Sequence, residues 1–292
     1  MLVAALLSVG AVWTNALGVG VRFQHLEARI ERFIAGPVPD RATLPTVEVT
    51  DPPALQTLPA ASLEVPSAAS SPSVAASPTA SPPPVRKAVD VNIESHPKSV
   101  FASELTDVWC APAGVQTALA ILGQADNSDA FQRKLVGQIG KWESWQDSHN
   151  GGWGPASMAL AIAAYGAPGY QVRAYATRAA ALVDAARAIA KTHAPVILLA
   201  WRGAHTWVMS GYRANADPTV FQDATVTGAY ILDPWYPAIS SIWGPSDPPG
   251  TFQNNSEMIR NYLAWKRPEG TYPTRDGKWI SVVPTVVVKP PA

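Results

Sequence analysis

One cysteine, Cys110, stands in 292 residues. A lone thiol forms no internal disulfide and cannot build a zinc site that needs several thiolates. Charge of one sign is lacking too: 22 basic residues balance 22 acidic ones, and no basic cluster is laid out as a phosphate-binding stripe. Nucleic acid is therefore not an expected partner, and no pattern in the chain asks for a metal or a cofactor. Histidine is sparse, with five copies. The chain does have 28 prolines, 11 tryptophans and an apolar fraction of 47%, enough for a sizeable core.

These residues are unevenly spread. Positions 1–23 read MLVAALLSVGAVWTNALGVGVRF, with no charge before Arg22. About 20 apolar residues span a bilayer as a helix. The run lacks a basic n-region and a clear small-x-small cleavage site, which favours a retained anchor over a cleaved signal peptide. The expectation is a single-pass membrane protein with its C-terminal domain outside the cytoplasm, or a secreted domain if the segment is removed. Phe23, Leu26, Ile30, Phe33 and Ile34 then recur at helical spacing and Gly36 would end the helix. Positions 1–36 are thus read as anchor and stalk. Positions 37–89 are rich in Pro, Ala and Ser and offer little to pack, so a disordered, extended linker is expected there. Positions 90–292 suit one folded domain.

Within that domain Cys110-Ala-Pro-Ala-Gly114 opens a helical pattern. Val115, Ala118, Leu119 and Leu122 share a face, Pro112 fits the first turn and Gly123 closes the helix. A second helix is expected from Pro155 to Tyr165 and a third from Arg178 to about Thr192, capped by Thr177. Gly151-Gly-Trp-Gly154 reads as a tight turn before a helix, with Trp145 and Trp153 as candidate cleft walls. Strands are expected at Val196–Ala200, Thr206–Tyr212 and Ala229–Leu232, with one or two more between Trp279 and Val288. Helices first and an antiparallel sheet after them make the α+β class.

The candidate chemistry lies at three element ends. Cys110 opens a helix, where free amides and the helix dipole are expected to lower a thiol pKa. His205 follows a Gly-Ala turn and begins a strand. Asp233 ends a later strand and is followed by Pro234. A carboxylate there can accept the second imidazole N–H and fix the ring's tautomer. Nucleophile, base and orienter then run in the order Cys, His, Asp. His96, His149 and His193 sit in loop-like or helix-end contexts without this surrounding pattern.

DVWCAPAGVQTALAILG resembles the nucleophile helix of papain-like cysteine peptidases of the bacteriocin-processing (double-glycine peptidase-like) branch. AHTWVMSGYR and YILDPWYP resemble that family's histidine and aspartate strands. The resemblance covers roughly positions 95–240 and leaves the tail from about Trp243 unexplained. It implies a papain-like fold with the site between a helical half and a sheet half, Cys110 as nucleophile, His205 as base and acid, and Asp233 as orienter. A peptide or protein would be the substrate. Ala111 stands where the family commonly has glycine. Glu104 stands six residues before Cys110, where the family carries a glutamine as oxyanion donor. An ionised carboxylate there would repel an oxyanion; a protonated one could donate to it. Three functions stay open: peptide or amide hydrolysis through a thioester, acyl transfer by the same triad, and an inactive domain that binds peptides or cell-envelope components. The 28-residue step from His205 to Asp233 exceeds a simple hairpin, so a longer loop or an added ribbon is expected over 214–228.

Overall fold

The computed structural model describes positions 36–50, 84–267 and 269–288, with 26, 30 and 32–34 upstream of them. The elements are β1 (Thr46–Val49), β2 (Val89–Asn92), α1 (Pro97–Val100), α2 (Cys110–Ile121), α3 (Asp129–Val136), α4 (Pro155–Ala164), β3 (Tyr170–Tyr175), α5 (Arg178–Thr192), β4 (Val196–Ala200) and β5 (His205–Ala214). They continue with β6 (Val226–Leu232), β7 (Ile239–Ser240), β8 (Gly244–Pro245), β9 (Thr251–Asn254), α6 (Asn255–Asn261) and β10 (Trp279–Pro284).

One sheet runs β1-β3-β10-β4-β5-β6-β9, and β2 joins the far half of β5. Only the β1–β3 pair is parallel. The class is therefore α+β with a mostly antiparallel sheet. Helices cover both faces of it, rather than forming a half of their own. Ile197, Leu199 and Val208 pack with Val115, Leu119 and Ile162 of α2 and α4. Val196, Leu198 and Met209 point the other way, towards Leu182 and Ile189 of α5. This is why Val196–Ala200 reads as a continuous apolar run: a strand buried on both faces has no polar alternation.

Local chemistry sets the helix ends. Thr177 Oγ1 accepts from the Ala180 amide at 3.1 Å and starts α5, which stops at His193 in the left-handed region, φ 53°. Gly114 lets α2 lie close to β5, since a Cβ there would stand 2.5 Å from Thr206 Cγ2.

One expectation changes. The linker expected over 37–89 does not begin at 37, because residues 36–50 belong to the folded unit. The Trp145 amide donates to Pro39 O at 2.8 Å, Arg41 binds Glu143 O at 2.9 Å, and Thr46–Val49 adds a strand beside β3. This short β-branched segment supplies an edge that low overall complexity conceals. The rest of the linker, 51–83, and the span expected at 1–23 lie outside the described residues. Among the described residues no helix is long and apolar enough to cross a membrane. The strand expected between Trp279 and Val288 is present and makes the tail part of the sheet: β10 lies between β3 and β4, pairing Val282 with both Val172 and Ile197. The longer loop expected over 214–228 is present, at 215–225 between the two strands. β5 runs to Ala214, β6 begins at Val226, and the Asn215 amide closes the loop on Thr225 O at 3.1 Å.

Candidate active site

Cys110 is the first residue of α2, and His205 is the first of β5, against which α2 packs. Both line one cleft of about 1190 Å³. Cys110 Sγ lies 4.0 Å from the carbonyl oxygen of Ala204, the residue before His205. His205 Nε2 and Asp233 Oδ1 are 2.6 Å apart. Asp233 Oδ1 also accepts from the Trp235 amide at 2.9 Å, so the turn after β6 aims it. With Asp233 ionised, Nε2 carries the ring proton and Nδ1 remains as acceptor. The three sequence-read residues thus converge, although no hydrogen bond between Sγ and the imidazole is closed among the described residues.

The segment before His205 is unusual. Trp201, Arg202 and Gly203 have φ of 50°, 63° and 86°, three successive residues in the left-handed region. Each non-glycine there costs roughly 1–2 kcal/mol, so the surroundings must hold the turn. Trp201 Nε1 donates to Asn261 Oδ1 at 3.1 Å, and the Lys266 amide donates to Arg202 O at 3.0 Å. At Gly203 a Cβ would stand 2.4 Å from the Trp265 ring. The turn delivers the Trp201 indole onto the imidazole, with centroids 4.0 Å apart and planes 19° from parallel. Trp243 stacks on the far face of this pair and Trp235 meets His205 edge-on. Sequence reading missed these tryptophans. The one signal was their number, close in sequence to the His205 and Asp233 motifs.

Glu104 is brought to the same place. Its amide donates to Pro234 O at 3.0 Å, and Ser103 Oγ binds Tyr236 O at 2.6 Å, which ties the loop to the Asp233 turn. On the other side Gln132 accepts from the Leu105 amide and donates to Ser103 O. Both Glu104 carboxyl oxygens are sealed from solvent and have no hydrogen-bond partner among the described residues. Burial, then the Asp233 and Asp107 charges, push its pKa up to about 9, against a weaker pull from the Trp109 amide. Near neutral pH Glu104 is a carboxylic acid. It stands behind the residues that line the cleft rather than among them.

The expectation for the thiol changes sign. Burial pushes Cys110 well above the ordinary thiol range, and a charged Glu104 pushes the same way; the Thr206 hydroxyl and amide pull down, and Asp233 adds a smaller upward push. The first turn of α2 is packed against the sheet, and desolvation outweighs the helix dipole. Of the two tryptophans proposed as cleft walls, Trp153 lines the cleft, whereas Trp145 stacks on His149 at 4.4 Å on the outside. Gly151 and Gly152, at φ 77° and 85°, form the expected tight turn before α4. The described residues hold no cluster of three or more metal-ligating side chains. The chain matches no protein-family model, no curated protein and no solved structure.

Proposed function

We propose that the domain is a papain-like cysteine peptidase or amidase, exported and held at a membrane by its N-terminal segment. The observation that carries this reading is the Asp233–His205 contact of 2.6 Å, with His205 lining one cleft together with the chain's one cysteine. In this reading the thiol is neutral at rest. As a peptide carbonyl approaches, His205 Nδ1 takes the Sγ proton and sulfur attacks carbon. The imidazolium is stabilised by Asp233. His205 then returns the proton to the departing amine, and water, activated by the same ring, hydrolyses the thioester. Glu104, as a neutral acid behind the cleft wall, adds no second negative charge beside Asp233.

A second reading has its own support. A thiol raised by burial beside a partnerless carboxyl is a poor resting nucleophile, as suits a domain that binds peptides or envelope components without cutting them. Hydrolysis of a mixed peptide library, followed by mass spectrometry, separates the two. Under the peptidase reading wild type cuts, Cys110→Ala and Cys110→Ser are inert yet folded, and Asp233→Asn loses two orders of magnitude or more. Cleavage that survives Cys110→Ser would overturn the peptidase assignment, and retention of uncut peptides would favour the binder.

A further inference from the structure

Among the described residues lining the cleft, two carry a permanent charge, Arg32 and Arg133, and none is a carboxylate. Arg32 is already committed: its guanidinium binds Glu143 Oε2 at 2.6 Å and Gly36 O at 2.7 Å. Arg133 is not. No carboxylate or carbonyl is bonded to its guanidinium among the described residues, and its one contact of this kind is with the Trp109 ring, 5.9 Å from the centroid. Trp109 directly precedes Cys110, so this cation flanks the approach to the thiol.

The helix that carries it is held in place. Ser128 caps α3 by accepting from the Phe131 amide at 3.2 Å. Gln132, the neighbour of Arg133, is buried and donates to Ser103 O and Gln116 Oε1, both at 3.0 Å. The helix that carries Arg133 is thereby bolted to the helix that carries Cys110. A guanidinium over an indole is weakly hydrated and keeps its donors free for the two oxygens of a carboxylate. The walls beyond it, Trp153, Ile139, Met158 and Leu199, suit an uncharged, apolar continuation.

We propose that this cleft selects peptides bearing a carboxylate close to the bond attacked, and that Arg133 is the residue that reads it. The proposal rests on the cysteine peptidase reading and names its substrate class. The carboxylate can be an Asp or Glu side chain or the free end of a peptide.

The subsite is first tested without turnover. Iodoacetate and iodoacetamide alkylate a thiol alike and differ in one carboxylate. Their rate ratio at Cys110, measured by mass spectrometry, should fall about tenfold from wild type to Arg133→Glu, with Arg133→Gln between, the size of one charge-assisted contact. Arg133 is exposed, so these variants should fold as wild type does. The same ratio in all three proteins overturns the proposal. Turnover is then measured on matched peptides carrying Glu, Gln or Lys near the scissile bond, each with a free or amidated C-terminus. Preference for Glu that ignores amidation identifies a side chain, and preference lost on amidation identifies a chain end; either supports the proposal. Cleavage that needs Cys110 but ignores charge overturns it and leaves the peptidase reading standing. No cleavage, with an alkylation ratio that still follows residue 133, keeps the anion site and removes the peptidase reading.

Discussion

Glu104 shows how far one buried side chain governs the site. Its carboxyl holds a proton to about pH 9 in the folded chain, against about 4.5 when exposed. Between those values the folded state binds more protons than the unfolded one, so stability falls as pH rises. The contribution is complete below the unfolded value and lost by the folded one, at up to about 1.4 kcal/mol per pH unit. Glu104→Gln removes this dependence. Thermal melts from pH 5 to 9 should therefore slope downward less for the variant, and parallel slopes would show that Glu104 titrates as an exposed group does. The same reasoning fixes the kinetic effect. Near pH 7 the acid and the amide are both neutral, so rates should agree within a few-fold; above pH 9 wild type should decline, as a charge appears beside the site, and Glu104→Gln should not. A large gain for the variant already at pH 7 would mean that the carboxyl is charged there.

At the scale of elements, the helix at Cys110 and the strands carrying His205 and Asp233 were legible, because their periodicity and caps are local properties. α5 was readable to the residue, since Thr177 caps it and the alanine-rich run ends at His193. β1, β2, β3 and α3 were not. The first two are four-residue edge segments whose only reason to be extended is a partner strand far off in sequence, and α3 is a short helix that buries one polar side chain, Gln132, beside Leu135. The left-handed turn at Trp201 was likewise invisible, because its strain is balanced by Asn261 and by the backbone next to Trp265, more than 55 positions away. The candidate triad was legible as a list of three residues, and the aromatic box around it was not. The docking of β1 carries a consequence. A protease site engineered between positions 60 and 70 should be cut without loss of the domain, and the fragment bearing Thr46–Val49 should stay bound through its ladder to β3. Size-exclusion chromatography after cleavage checks this. A free N-terminal fragment would mean that the β1 pairing contributes little.

Taken as a whole, the molecule is closed by its tail. β10 lies between β3 and β4, so the two halves of the sheet are joined through it. Arg275, ahead of that strand, binds three separate regions. Its guanidinium meets Asp147 Oδ1 at 2.7 Å, Asp147 O at 2.9 Å and Thr46 Oγ1 at 3.0 Å, and it lies over the rings of Trp265 and Tyr272. Asp147 in turn accepts from the Ala156 and Ser157 amides and so caps α4 beside the cleft. The pair is sealed, with side-chain exposures of 4% and 0%. A buried pair of this kind adds little compared with apolar residues of the same shape, but losing one partner leaves an uncompensated charge. Arg275→Leu should therefore cost about 3–5 kcal/mol in the urea midpoint analysis, and adding Asp147→Asn should recover part of it by removing the orphaned carboxylate. The non-additivity of the double variant is the informative quantity, because α4 and the tail share no other ion pair among the described residues. If the single variant loses less than about 1 kcal/mol, or the two losses simply add, the tail is held by β10 alone and Arg275 is not the link between the end of the chain and the cleft wall.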